Sequence, residues 1–174
     1  MLTREMLLTR MARAYYDLLA VVVPLMKKDK DIEKGIREGL NKFLSNLCIS
    51  LVGKLETNYY SKDAIKELAK GGPKKDQATL IYEHMVPKNY YQDKIINDFK
   101  EGKIKTPDEI RDTLEKYWHI ATITSEEDKR LVPRKSMPKG WDGKDIFVRY
   151  VNIRDQLVAR AEYRGKDFPE RQAK

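Results

Sequence analysis

The stretch Leu80-Ile81-Tyr82-Glu83-His84-Met85-Val86-Pro87 sets a carboxylate beside an imidazole at the end of a short apolar run, and a proline closes it. An imidazole titrates near neutral pH and can take a proton from water. A carboxylate is a hard oxygen ligand suited to magnesium or manganese, and a metal beside a phosphate offsets charge that grows in the transition state. The pair is therefore a kernel for metal-assisted phosphodiester chemistry. The plainer alternative is a structural histidine with Glu83 paired to a lysine. Only two histidines occur in the chain, and the other, His119, follows Trp118 at a predicted helix end, where it reads as a C-terminal cap interaction.

The flanking pattern predicts a strand over 78–83. It has Thr, Ile and Tyr, and turn residues bound it. Alternation puts Ile81 and Glu83 on one side and Leu80, Tyr82 and His84 on the other. Pro87 keeps Val86 extended. A helix over 89–100 follows. Thr106-Pro107-Asp108-Glu109 starts another, with Thr106 as cap, Pro107 in the first helical position and Glu109 completing a capping box. Residues 120–124 read as a second strand, and Thr124-Ser125-Glu126-Glu127 as a second capping box that opens a helix at once.

This order resembles the HNH, or ββα-metal (His-Me finger), nucleases. In that family a strand ends in Asp-His or Glu-His, often followed by an apolar pair and Pro, as in Glu83-His84-Met85-Val86-Pro87 here. A second strand and a helix come next, here 120–124 and the helix from Ser125. The resemblance implies that His84 is the general base on the attacking water and that Glu83 helps bind a divalent metal, Mg or Mn. The family usually carries Asn and a further His or Asn around the second strand and helix. Here Glu126, Glu127 and Asp128 stand there instead, so Glu127 or Asp128 is the second expected metal ligand. The stretch between the strands, roughly 88–119, is longer than the family's usual loop.

Earlier in the chain the pattern is helical. Residues 4–28 carry Met6, Leu7, Met11, Ala14, Leu18, Val21, Val22 and Leu25 near one face, with Pro24 expected to end or kink the helix. In 31–57, Ile32, Ile36, Leu40, Phe43, Leu47, Leu51 and Leu55 recur at spacings of three and four. Asp31 is the expected cap, Gly35 and Gly39 lie one turn apart, and the apolar line reads as core or as a dimer seam. Ser61 caps a short helix to Ala69, and Gly71-Gly72-Pro73 stops it. The following Lys74-Lys75 gives this turn the composition, without the spacing, of a phosphate-gripping loop.

Lys plus Arg is 35 and Asp plus Glu is 27, a net charge of +8, which attracts polyanions. Between 129 and 144, Lys129, Arg130, Arg134, Lys135, Lys139 and Lys144 face one acid, Asp142. Prolines and glycines mark this stretch as loop, with Trp141 expected to staple it to the core. Residues 145–163 read as a helix with Ile146, Tyr150, Ile153, Leu157 and Ala161 buried and Arg149, Arg154, Arg160 and Arg164 on the rest. Lys88, Arg130, Arg134, Lys135, Lys139 and Arg149 are the candidate nucleic-acid contacts, with Arg149 the phosphate clamp. One cysteine, Cys48, excludes an intramolecular disulfide and any cysteine zinc cluster, and reads as a core residue. The longest apolar run, Leu18 to Met26, is too short to span a bilayer, and the expected location is cytoplasmic.

The expected fold is α+β and predominantly helical. A helical scaffold covers 1–76, and a ββα-like core with a helical insertion, basic loop and C-terminal helix covers 77–174; the alternative is one single domain over 1–174. The expected function is a metal-dependent HNH-like endonuclease hydrolysing phosphodiester bonds, with DNA rather than RNA the expected substrate. The alternatives are a non-catalytic nucleic-acid-binding or nucleoprotein-inhibiting protein, and a helical interaction module. A homodimer through the N-terminal helices is the expected assembly.

Overall fold

A computed structural model describes residues 2–53, 57–69 and 80–160. Leu55, the Gly71–Lys75 turn, Ala161, Arg164 and the polar C-terminal end lie outside the described residues. The fold is α+β and predominantly helical, with six α-helices and a small mixed sheet of four strands among the described residues. None of the described helices is long and apolar enough to cross a membrane.

The chain divides into two units, and each is discontinuous in sequence. Met1–Glu56 joins with Pro87–Trp118, and Thr57–Val86 joins with His119–Lys174. The division differs from the expected boundary after residue 76. The helices predicted as an insertion pack with the N-terminal helices, because each carries an apolar stripe that only another helix can cover.

The first unit holds α1 (Arg4–Met26), α2 (Lys30–Val52), α4 (Lys88–Lys100) and α5 (Pro107–Tyr117). α1 packs against the other three, through Leu8, Met11, Ala12, Tyr15 and Leu19, all buried. Pro24 lies within the last turn of α1 and does not end it before Met26. Asp29, rather than Asp31, caps α2. Its Oδ1 accepts from the N–H groups of Asp31 and Ile32 at 2.7 and 3.1 Å, which leaves Asp31 in the first turn. The α2 stripe is only partly core. Leu40, Leu44 and Cys48 are buried, Ile36, Phe43 and Leu47 are half-buried, and Ile32 is 48% exposed. Polar links tie α2 to α4: Arg37 reaches Asp93 and Asn97 at 3.2 and 3.0 Å, and Lys100 reaches Glu33 at 2.8 Å.

The second unit is built on β1 (Tyr59–Ser61), β2 (Leu80–His84), β3 (Ile120–Thr124) and β4 (Leu157–Ala159), in the order β2-β3-β1-β4. β2 and β3 are antiparallel, with Tyr82 opposite Thr122 and His84 opposite Ile120. β1 runs parallel to β3 and antiparallel to β4. The predicted strand pair is therefore present, and two more strands extend it. α3 (Lys62–Ala69) packs on β1 and β3, and α6 (Ser125–Asp128) follows β3 directly. The predicted helix from 145 is not formed. Two 3-10 turns, Val148–Tyr150 and Arg154–Gln156, lead instead into β4. Tyr150 and Ile153 are buried as the periodicity implied, but they fill the core over one sheet face with Met85, Ala121, Ile123 and Leu131.

Candidate functional site

Glu83 and His84 end β2, and the β2–β3 ladder stays in register through both. Successive strand residues point to opposite faces. Glu83 lies on the face covered by Met85, Leu131, Tyr150 and Ile153, and His84 on the other. The proposed base and its proposed metal ligand thus diverge from one another.

What Glu83 meets is Arg149. This arginine was expected on the outer side of a helix as a phosphate clamp, but it is fully buried. It lies on the first 3-10 turn, and its guanidinium is saturated by the chain. Nε donates to the carbonyl of Pro133 at 2.9 Å, and Nη1 donates to the carbonyls of His84 and Met85 at 3.0 and 3.3 Å. Nη2 donates to the carbonyl of Arg134 and, at 2.8 Å, to Glu83 Oε1. Five acceptors around a planar fork leave no donor for a phosphate. The correction has a simple cause: with the C-terminal segment turned into strand β4, position 149 faces the sheet.

The other two expected ligands are also engaged. Asp128 is 5% exposed, and its Oδ2 accepts from Arg134 Nε at 2.8 Å. Glu127 completes the α6 capping box: its Oε2 accepts from the Thr124 N–H at 2.8 Å, while Thr124 Oγ1 accepts from the Glu127 N–H at 3.2 Å. The same Oε2 accepts from Ser61 Oγ at 2.5 Å, and Ser61 Oγ in turn accepts from the Ala64 N–H at 3.0 Å as the cap of α3. Glu127 Oε1 is buried without a hydrogen-bond partner. One buried carboxylate therefore joins the starts of two helices. The local pattern around Ser61 signals a helix cap, and nothing in it signals the link to Glu127.

Among the described residues, no three His, Cys, Asp or Glu side chains form a group able to hold a metal ion. Glu83, Glu127 and Asp128 are turned to separate partners, so as placed they do not fit a magnesium or manganese centre, which needs several oxygens converging on one point.

The basic candidates divide into two kinds. Lys88 belongs to the helical unit and donates to Asn41 O and Ser45 Oγ on α2, both at 3.2 Å. Arg130 donates to the carbonyl of Asn152, whose side chain donates back to the Arg130 carbonyl at 3.0 Å. Lys129 pairs with Glu126 at 2.7 Å. Lys135, Lys139 and Lys144 are exposed, with no side-chain partner among the described residues. Trp141, expected to staple the loop to the core, is half-buried and donates from Nε1 to the Asp145 carbonyl at 2.9 Å. The His119 carbonyl accepts from the Met85 N–H at 2.9 Å, and its ring lies 6.3 Å from that of Tyr59. No family model, curated protein or solved structure matches the chain.

The Glu83 carboxyl is held above its ordinary value. Burial is the largest cause, Arg149 opposes it, and Asp128 adds to it. Two expectations follow. Arg149→Met should destabilise the protein by about 3–5 kcal/mol in urea unfolding, because it leaves Glu83 and four carbonyls without their donor; a loss below about 1 kcal/mol would contradict the hub role. Protonation of Glu83 is easier in the folded state than in the unfolded one. Stability should therefore fall as pH rises from the ordinary carboxylate value through the raised one. The urea midpoint of Glu83→Gln should lack this decline, and parallel pH profiles for the two proteins would rule it out.

Proposed function

We propose that this protein binds nucleic acid without cleaving it, through the basic segment 129–144. The observation that carries the reading is the set Lys135, Lys139 and Lys144, exposed and without acid partners among the described residues. Their loop is held in shape at several points. Arg149 grips the carbonyls of Pro133 and Arg134, Arg130 and Asn152 bond reciprocally, and Gly140 and Gly143 take φ of 80° and 78° that side-chain-bearing residues rarely adopt. Ammonium groups on a fixed loop neutralise phosphates with little ordering entropy, and the counterions they release make binding salt-dependent. The pairing of Glu83 and Asp128 with arginines supports binding over hydrolysis.

Fluorescence anisotropy with a labelled DNA and an RNA of the same sequence tests this. Wild-type affinity should fall steeply with salt. The triple substitution Lys135→Ala, Lys139→Ala, Lys144→Ala should weaken binding at least about tenfold and reduce the log–log salt slope by about 2–3. An unchanged slope, or no binding at low salt, would refute the reading.

One observation favours the hydrolytic alternative. A strand ending in His84 pairs with β3, and α6 follows β3 directly, which is the strand-strand-helix order of the HNH-like reading. In that reading His84 accepts a proton from water. Incubation of plasmid DNA and RNA with magnesium or manganese decides it. The binding reading expects no cleavage; cleavage abolished by His84→Ala would establish the hydrolytic one in its place.

A further inference from the structure

The α2 helix carries a face that its own unit leaves uncovered. Asp31, Gly35, Glu38, Gly39 and Lys42 recur at spacings of three and four, so they share one side of the helix, with Lys34 at its edge. All six are exposed. The space beyond both glycines is open, with no atom within 4 Å of where a Cβ would stand. Glycine is a poor helix former, and this unit supplies no packing reason for two of them one turn apart. Asp31, Lys34, Glu38 and Lys42 have no side-chain partner among the described residues. The same pair of packed helices also exposes apolar groups: Ile32 on α2 at 48%, and Val21 at 68% and Leu25 at 43% on α1.

The order of charges along the face identifies what would cover it. It reads acid, base, glycine, acid, glycine, base from Asp31 to Lys42. A two-fold axis between Gly35 and Gly39 would lay a second α2 antiparallel on the first. Gly35 then faces Gly39 of the second copy, while Asp31 and Lys42 come within one residue, and Lys34 and Glu38 within two, of standing directly opposite, an offset of about 3 Å at most, and every pair occurs twice. The pattern is thus self-complementary under the symmetry of a dimer interface, in which one patch serves both copies. The paired glycines let the two backbones approach closely.

We infer that the full chain forms a two-fold homodimer through antiparallel contact of the α2 helices, centred on Gly35 and Gly39. This is independent of nucleic-acid binding and goes beyond it. Sedimentation velocity on the nucleic-acid-free protein should show a monomer–dimer equilibrium at roughly 1–100 µM at low salt, and raising the salt from about 50 to about 500 mM should weaken it several-fold. Asp31→Lys and Lys42→Asp should each weaken self-association at least about tenfold by opposing like charges. An equimolar mixture of these two variants should associate again, since each then supplies the charge the other lacks. Gly39→Leu should abolish the dimer. Circular dichroism on each variant separates lost association from lost folding. A monomer across this concentration range, single reversals without effect, or a mixture of folded variants that stays monomeric would each overturn the proposal.

Discussion

A guanidinium removed from water stays charged and must find acceptors for its N–H groups inside the fold. Arg149 meets this condition with four backbone carbonyls and one carboxylate. Those acceptors come from two places far apart in sequence, the end of β2 and the Pro133–Arg134 turn. The arginine therefore does what a row of apolar contacts could not: it ties the end of the β2 ladder to the irregular Pro133–Arg134 turn, which has no ladder of its own. Its own carbonyl accepts from the Val132 N–H at 3.0 Å, so the turn is held from both sides. The basic loop leaves the sheet at this point, and the geometry of its lysines depends on this one buried charge.

The same requirement explains why an acid beside a histidine does not make a metal centre here. A buried arginine needs a counter-charge, and Glu83, on the sheet face beneath it, supplies one. At Asp128 the acid is the buried member and its partner Arg134 is 54% exposed, while Glu127 is taken up by two helix starts. In each case the carboxylate is held by donors of the protein itself. His84 sits one residue from Glu83, but strand geometry sends it to the opposite face. Adjacency in sequence suggested a shared site, and the period of two separates its members.

What was legible in the sequence was local. The capping boxes at Thr106–Glu109 and Thr124–Glu127 mark the starts of α5 and α6, because a cap is a hydrogen-bond pattern closed within four residues. The strands around Tyr82 and Thr122 and the helices of the first unit also followed from periodicity. β1 and β4 did not, since three-residue strands carry no usable alternation and exist only by pairing with each other and with β3. Ile146, Tyr150, Ile153 and Leu157 fit a helical period equally well, yet Leu157 pairs with Ser61, a contact across the sequence that no window reveals. The burial of Arg149 had no signal at all, because a lone arginine between apolar residues reads as exposed by default. The discontinuous units were hidden for a related reason: the helices between β2 and β3 show amphipathic faces but not whose faces they meet.

Burial of acids also changes how the charge of the chain should be read. The formal excess of +8 counts every carboxylate equally. In the sheet unit Glu83 and Asp128 are paired with Arg149 and Arg134, so neither offsets a surface lysine. Lys135, Lys139 and Lys144 then project a field that composition alone understates over that loop. A polyanion responds to such a local, fixed concentration of positive charge more than to a net total. By contrast, the α2 face alternates acid and base, gives no net attraction for a polyanion, and suits a partner carrying the same alternation in reverse. Two kinds of charged surface in one chain thus make opposite demands, one for a phosphate backbone and one for another α2.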